Sequence, residues 1–359
     1  MLVTTALTAA DWKAGLARVN ITPEGSIWMS GYGSRTKPSE GKIHDLWAKA
    51  VALEDAKGNR AVIVTTEATR NLLMERHGLD RSRLLLNSSH THTGPMVAEN
   101  LRIMFDLSPD QEEKIRAYSQ KLVQSVVNIV GAAIADLQPA DVFYGSGTAD
   151  FAVNRRQFNL SNVSIGVNRN GPVDHSVPVL AVKKPDGTLR LALYGYACHN
   201  TTLTGEFYQL SGDYAGFSQI DFEKEHPGAM GMFMLLTGGD QNPNPRSKQD
   251  LAIQHGHALA QAVDRVLKAQ MASVNGQLRT AFQTTELAFE PRSREDFEAE
   301  LKDSNQVKVR RARLMLKAMD ERRPIKTVTY PVQAIRLGKQ VTYVALGGEV
   351  VVGYSLRTK

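Results

Sequence analysis

An apolar run that stops abruptly at two histidines sets the strongest limit on how this chain folds. Arg83-Leu84-Leu85-Leu86-Asn87 reads as a buried strand, and Ser88-Ser89-His90-Thr91-His92-Thr93-Gly94-Pro95 follows it at once. Side chains alternate along a strand with period two, so His90 and His92 project to one side if the extended backbone continues. A turn at Gly94-Pro95 then aims both imidazoles into one cleft. Such a pair suits a metal ligand beside an acid/base group. Two histidines alone do not make a metal site, however, and a polar loop with backbone-bonded histidines fits the pattern as well.

The same design recurs. Val177 to Lys183 and Leu189 to Ala197 form a hairpin around Pro185-Asp186-Gly187, and its outgoing strand leads into Cys198-His199-Asn200-Thr201-Thr202. Met230 to Thr237 carries no charged residue and is expected to be a central strand covered on both faces. It delivers Gly238-Gly239-Asp240-Gln241-Asn242-Pro243-Asn244-Pro245. Val328 to Leu337 and Gln340 to Leu346 make a further hairpin ahead of Gly347-Gly348-Glu349. Each polar motif stands just past a strand, where loops converge on a cleft while the strands hold them.

The remaining elements read as scaffold. Arg18 to Pro23 is expected to be a strand, followed by the Gly31-Tyr32-Gly33 turn. Ala48 to Glu54 and Arg60 to Thr66 pair around Lys57-Gly58-Asn59, and a short charged segment comes after Leu73. His44-Asp45 is either an outer pair behind a site or a polar pair at a strand's start. Ser108-Pro109-Asp110-Gln111 opens an amphipathic helix that runs towards Pro139, with Ser108 as cap and Gln111 at the capping-box position. Val142 to Gly147 is a strand leading into Asn154-Arg155-Arg156. A helix is expected from Asp213 to Glu225, and another from Ser247, with His255 inward as a core residue and His257 exposed. Lys308, Arg310, Arg311, Arg313 and Lys317 give the helical stretch Arg292 to Arg323 a basic side. That side is either a solvated face or a surface for anionic headgroups. The fold class expected is α/β (α+β), with mixed β-sheets of hairpins and crossovers covered by α-helices. No linker divides the 359 residues, so 14–359 reads as one catalytic unit after a tail of 13.

Composition excludes several functions. The net charge of +6 comes without any recognised nucleic-acid motif, so nucleic acid is not an expected partner. No apolar run of about 18 residues exists, which excludes a membrane-spanning helix. Met1 to Ala10 is apolar and ends in small residues, like the tail of a secretory signal, so a secreted or periplasmic protein is expected. An ordinary unstructured N-terminus fits that stretch equally. Cys198 is the single cysteine, which rules out an intrachain disulfide. Thiol catalysis is open to it, as is the role of a small residue packed behind His199.

Taken in order from Ala14-Gly15-Leu16-Ala17-Arg18-Val19-Asn20-Ile21-Thr22-Pro23 to Glu349, this set of motifs resembles the neutral/alkaline (non-lysosomal) ceramidase family. The resemblance implies a zinc-dependent amidohydrolase that splits a ceramide-like lipid into sphingoid base and fatty acid. It implies zinc ligands at His90, His199 and Glu349, a His2Glu set that leaves a position open for water. His92 and Arg155 match family residues lining the reaction centre, where they would hold the amide carbonyl, stabilise the oxyanion and protonate the leaving nitrogen. Two departures stand out. Asn242 occupies the position of a functional serine in the family motif, which leaves water and not a side chain as nucleophile, with Asn242 orienting substrate. The family's fourth ligand, a tyrosine beyond the glutamate, and its C-terminal immunoglobulin-like domain have no counterpart by Lys359, and Tyr354 is too near Glu349 to serve. A truncated form is therefore expected, or a site completed by water or another side chain. A zinc hydrolase of another amide or ester, and a non-catalytic zinc-binding homologue, remain the alternatives.

Overall fold

The computed structural model describes residues 11–66, 79–98, 100–160 and 162–359. In chain order the first part runs β1 (Trp12–Asn20), β2 (Gly41–Lys42), β3 (Trp47–Asp55), β4 (Arg60–Thr65), β5 (Leu84–Asn87), α1 (Pro109–Ala135), β6 (Gln138–Thr148), β7 (Ala152–Phe158) and β8 (Val163–Asn168). Then come β9 (Ser176–Lys183), β10 (Leu189–Tyr196), β11 (Gln209–Leu210), α2 (Asp213–Glu225), β12 (Met230–Leu235), β13 (Gln241–Pro243) and α3 (Gln249–Lys268). The last part comprises β14 (Ala272–Ser273), β15 (Leu278–Ala288), α4 (Arg294–Glu300), α5 (Gln306–Asp320), β16 (Thr327–Leu337), β17 (Val341–Leu346) and α6 (Val352–Thr358). The class is mixed α/β, as expected.

The main sheet follows the order β12-β10-β9-β6-β1-β3-β4-β5, with β14 beside β6. Its interior pairs are antiparallel, while the outermost pairs, β10 with β12 and β4 with β5, are parallel. The sheet curls until its two ends touch. At the end of β5, Asn87 Nδ2 donates to the Leu235 carbonyl of β12 and Asn87 Oδ1 accepts from the Leu235 N–H, both at 2.9 Å. One side-chain amide thus stands in for a rung of backbone ladder, and the ends of β5 and β12 are held side by side.

This seam corrects the expectation of a central strand at 230–237. β12 is a terminal strand of the ladder, and its burial comes from the seam and from α2 packed over it. Absence of charge reports burial on both faces; it says nothing about rank in the hydrogen-bond order.

Four hydrophobic clusters are found among the described residues, and three of them frame the main sheet. The inner face of the sheet packs Trp12, Leu53, Ile63, Leu193 and Met232 against Ile335, Leu337 and Val341 of the β15-β16-β17 sheet. Outside, α1 covers β1, β3 and β4 through Leu122, Val126 and Val130. There a Cβ on Gly15 would lie 1.9 Å from the Ala133 carbonyl, so only glycine lets helix and strand approach so closely. Helices α2 and α3 cover β9, β10 and β12 through Tyr214, Phe222 and Leu259.

Other expectations fare unevenly. The first strand spans Trp12–Asn20 and stops before Ile21, and Trp12 and Lys13 belong to it and not to a tail. Residues 1–10, and most of the charged segment after Leu73, lie outside the described residues. Ser108 caps α1 by position, but its hydroxyl meets the Asp110 carboxylate and no capping box forms. His255 is a core residue, stacked on Phe151, and His257 is exposed beside Asp221. The basic side of α5 is largely engaged. Arg311 meets Glu300, Lys308 meets Asp303, and Arg310 donates to the carbonyls of Ile103 and Met104. Among the described residues no helix is long and apolar enough to cross a membrane.

Candidate metal centre

Past Asn87 the chain does not continue as a strand. His90 takes a φ of 59°, a left-handed conformation that costs a non-glycine residue energy and persists only where surrounding contacts enforce it. Those contacts come from the loop after β10. Thr91 bridges Asn200 in parallel, His92 N–H donates to the Asn200 carbonyl at 3.2 Å, and the Asn200 side chain donates to the Ser89 carbonyl. The two histidine loops are stitched together. Behind them, Thr91 and Thr93 hydroxyls donate to the Ser211 carbonyl, and His44 accepts from or donates to the Ser211 hydroxyl at 3.0 Å. His44 is thus an outer support of the site. Gly31 packs flat on His92, where a Cβ would fall 2.6 Å from the ring, and the Tyr32 ring meets His92 edge-on.

His199 is buried, and its Nδ1 donates to the Gly238 carbonyl at 2.6 Å. That bond fixes the tautomer and leaves a lone pair on Nε2. Around it the donor atoms converge. His90 Nε2 lies 3.2 Å from His199 Nε2, 3.1 Å from His92 Nε2 and 3.5 Å from Glu349 Oε1. Glu349 Oε2 lies 3.1 Å from His199 Nε2. Bonds of ~2.0–2.1 Å to a tetrahedral cation separate ligand atoms by roughly 3.3–3.4 Å, so these spacings match the edges of such a shell.

Protonation states agree. Burial pushes His92 down to about 2 and lowers His199 as well, which keeps both imidazoles neutral. A neutral His199 whose only N–H points to Gly238 therefore presents a lone pair to an ionised oxygen 3.1 Å away. Two acceptors at hydrogen-bond distance with no hydrogen between them repel, and a shared cation removes the conflict. The residues present fit a metal ion.

His90, His92 and His199 form a group able to hold a metal. Ring centres separate the candidates. His90 stands 4.7 Å from His92 and 4.8 Å from His199, but His92 and His199 are 5.6 Å apart. Glu349, by contrast, touches both His90 and His199. His90, His199 and Glu349 each contact the other two, and His92 joins them through His90.

Arg155 and Asn242 line the other side. Arg155 Nη2 donates to the Gly239 carbonyl at 2.7 Å and to Glu349 Oε2 at 3.2 Å, and Nη1 stands 3.5 Å from Asn242 Oδ1. The Thr201 hydroxyl donates to the same Asn242 oxygen at 3.2 Å. The turn before β13 carries the Glu349 loop on its back. Gly239 N–H donates to the Val350 carbonyl, Asp240 Oδ1 accepts from the Val352 N–H, and a Cβ on Gly239 would lie 2.3 Å from the Glu349 carbonyl. Cys198 lies in the core, where burial holds its thiol well above its ordinary value. All six residues singled out from the sequence therefore meet in one place. The supports Asn87, Asn200 and Gly31 were missed; for Gly31, the Gly-Tyr-Gly triplet was the available signal.

The family description for neutral/alkaline non-lysosomal ceramidase, N-terminal, matches residues 12–249 of this chain. The neutral ceramidase of Pseudomonas aeruginosa is 28% identical over 254 residues, which are 65% of this chain and 37% of that protein. Neutral ceramidase B of Dictyostelium discoideum is 25% identical over 262 residues, 66% of this chain and 36% of that one. Among solved structures, the crystal structure of the Pseudomonas aeruginosa neutral ceramidase superposes with a TM-score of 0.73 at 20% identity, over 98% of this chain and 64% of that one. A ceramidase complexed with C2 gives 0.70 at 19% identity, over 97% and 65%. The chain matches a little over a third of the curated relatives' length. The family match takes in His90, His92, Arg155, His199 and Asn242 and ends before Glu349, while the shared fold extends over nearly the whole chain.

Proposed function

The chain belongs to the neutral/alkaline non-lysosomal ceramidase family, and on that premise we propose that it is a zinc-dependent amidohydrolase acting on the N-acyl bond of a ceramide-like lipid. The observation that carries this reading is the meeting of His90, His199 and Glu349, with the His199 lone pair facing the Glu349 carboxylate at 3.1 Å. These three residues would hold the zinc. When bound, zinc brings the pKa of its water to about 7 and polarises an amide carbonyl.

The chain's own residues divide the remaining work. His92, beside the triangle and kept neutral by burial, is placed to take a proton from the attacking water and, as the imidazolium so formed, to hand that proton to the leaving nitrogen. Arg155 sits between Glu349 and Asn242 and supplies fixed N–H donors for charge developing on the carbonyl oxygen. Asn242 has its oxygen turned to Arg155 and Thr201, so its NH2 group is what it can offer to orient substrate. No side-chain nucleophile stands in this reading. Cys198 is buried with its thiol facing the His199 carbonyl, and Asn242 takes the place of a serine. The chain from Trp12 to Lys359 acts as a single catalytic unit, because the proposed ligands come from both ends. Export to the periplasm or medium rests on the signal-like character of Met1–Ala10, and cell fractionation tests it.

A second reading, hydrolysis of a different amide or ester, is favoured by Asn242 itself, which changes a contact at the reaction centre. Both are tested by elemental analysis of the purified chain and turnover of a fluorogenic N-acyl sphingosine beside a simple ester. Stoichiometric zinc with preference for the sphingosine amide supports the first reading. Preference for the ester supports the second, and zinc without turnover of either indicates a non-catalytic homologue. His92→Ala and Arg155→Ala should keep zinc while losing turnover by about 10²- to 10³-fold. Loss of zinc in either variant would place that residue among the ligands.

A further inference from the structure

The far end of the β7–β8 ribbon, beyond Arg156, serves neither the core nor the chemistry above. Its register pairs Phe158 with Val163 and Arg156 with Ile165, so these four side chains share one face. Gln157 and Ser164 share the other. Phe158, Val163 and Ile165 are 74%, 53% and 65% exposed, and Leu160 in the connecting turn is fully exposed. None of the four apolar residues belongs to a core cluster. Single apolar side chains on a surface are ordinary, but a contiguous row along one face of a two-stranded ribbon is not.

Charge points to what this face meets. From residue 152 to 171 the sequence holds three arginines and no acidic residue. Arg155 is committed to Glu349; Arg156 donates to the Gly239 carbonyl at 3.4 Å but makes no ion pair among the described residues, and Arg169 makes none either. Cations behind an apolar row suit an anionic lipid surface, where guanidinium groups rest among headgroups and the apolar tip enters the acyl layer. A second copy would bring like-charged ribbons together. On the basic side of α5, Arg311, Lys308 and Arg310 are engaged by Glu300, Asp303 and the carbonyls of Ile103 and Met104.

We propose that the β7–β8 ribbon docks the protein on an anionic bilayer, with Phe158, Leu160, Val163 and Ile165 inserted and Arg156 and Arg169 at headgroup level. The same strand β7 carries Arg155 to the centre three residues before Phe158, so docking brings the catalytic cleft to the surface where a lipid amide resides. The inference deepens the lipid-amide reading, but its test uses no substrate and can fail separately.

The experiment is co-sedimentation of the full chain with phosphatidylcholine vesicles, with and without phosphatidylglycerol. Wild type should bind the anionic vesicles, more weakly as salt rises. The variant F158S/L160S/I165S should lose about tenfold or more of that binding while its metal content is unchanged. A second variant, Phe158→Trp, keeps the apolar row, and its fluorescence should be quenched by bromine-labelled acyl chains beyond the wild-type background. No binding by wild type, equal binding by the triple variant, or an unquenched Phe158→Trp would overturn the proposal. So would a wild-type dimer that the triple substitution dissolves, which would assign the ribbon to a second copy.

Discussion

His199 and Glu349 meet at 3.1 Å, yet they are held there by different means. His199 is 1% exposed, its ring is locked by the Gly238 carbonyl, and its neighbours Asn200 and Thr201 are buried with it. Glu349 keeps 51% of its side chain exposed and lies beyond the last strand, after Gly348 at a φ of 76°. What places it is a short set of tethers: Gly239 N–H on Val350, Asp240 on the Val352 N–H, and Arg155 on the carboxylate itself. His199 is part of the core, so its position is as fixed as the fold. Glu349 sits on a surface loop pinned to the turn that supports His199, and it can yield without the core yielding. A centre built this way has one rigid wall and one adaptable one.

Removing each of these two side chains is the most severe way to break that contrast. His199→Ala should abolish zinc binding and also remove one of the two hydrogen bonds to the buried Gly238 carbonyl, which keeps the Gln241 N–H, at a cost of about 0.5–1.5 kcal/mol to the metal-free fold. Glu349→Ala should weaken zinc strongly and leave the metal-free melting temperature unchanged. Calorimetric zinc titration and thermal melts of the apo forms check both. Equal melting losses would show that the two walls are alike.

A subtler probe leaves both side chains in place. Gly239→Ala puts a methyl 2.3 Å from the Glu349 carbonyl and should displace the adaptable wall alone, lowering zinc affinity by about 10- to 100-fold, as loss of an outer support does. The rigid wall has its own test in Asn87→Ala, which deletes both seam bonds. Urea denaturation should show a loss of about 1–3 kcal/mol. If Gly239→Ala lowers stability as much as Asn87→Ala does, the division between the walls is false.

Acid gives the smallest effect. The helix after Glu349 is clamped to the body by Asp174, which accepts from the Ser355 hydroxyl at 2.6 Å and from Lys359 Nζ at 2.7 Å. Burial alone would raise the Asp174 carboxyl, but Lys359, Ser355 and Ser176 outweigh it and hold the group at about 2. A depressed carboxylate stabilises the fold above its ordinary value of 3.8, and that contribution is lost as pH falls from there through about 2. Since Lys359 is half exposed, the effect should stay below about 1 kcal/mol. Melts of the metal-free protein across this range should show the loss in wild type and not in Asp174→Asn.

Much of this was legible in the sequence. Turn chemistry at Lys57-Gly58-Asn59 and Pro185-Asp186-Gly187 marked the hairpins, and the habit of ending strands in His or Gly motifs marked the centre. What could not be read depends on distant parts of the chain meeting. Nothing near Asn87 says that its amide will bridge to Leu235, so β12 looked central when it is terminal. The left-handed turn at His90 is imposed by Asn200, more than a hundred residues away. The β7–β8 ribbon was passed over for another reason. Its alternation at Val163, Ile165 and Val167 is a plain strand signal, but Asn, Ser and Gly residues around it read as loop, and no core awaits it.

The seam has one further consequence. His90 follows β5 and His199 follows β10 beside β12, so they stand on opposite banks of the join that Asn87 makes. An ion gripping both is a staple across that join, and its binding free energy is at the same time closure free energy of the sheet. By mass action, each tenfold rise of free ion above its dissociation constant adds about 1.4 kcal/mol to the folded state. Metal supply would then govern how long a molecule survives unfolding and proteolysis, and not only whether it turns over.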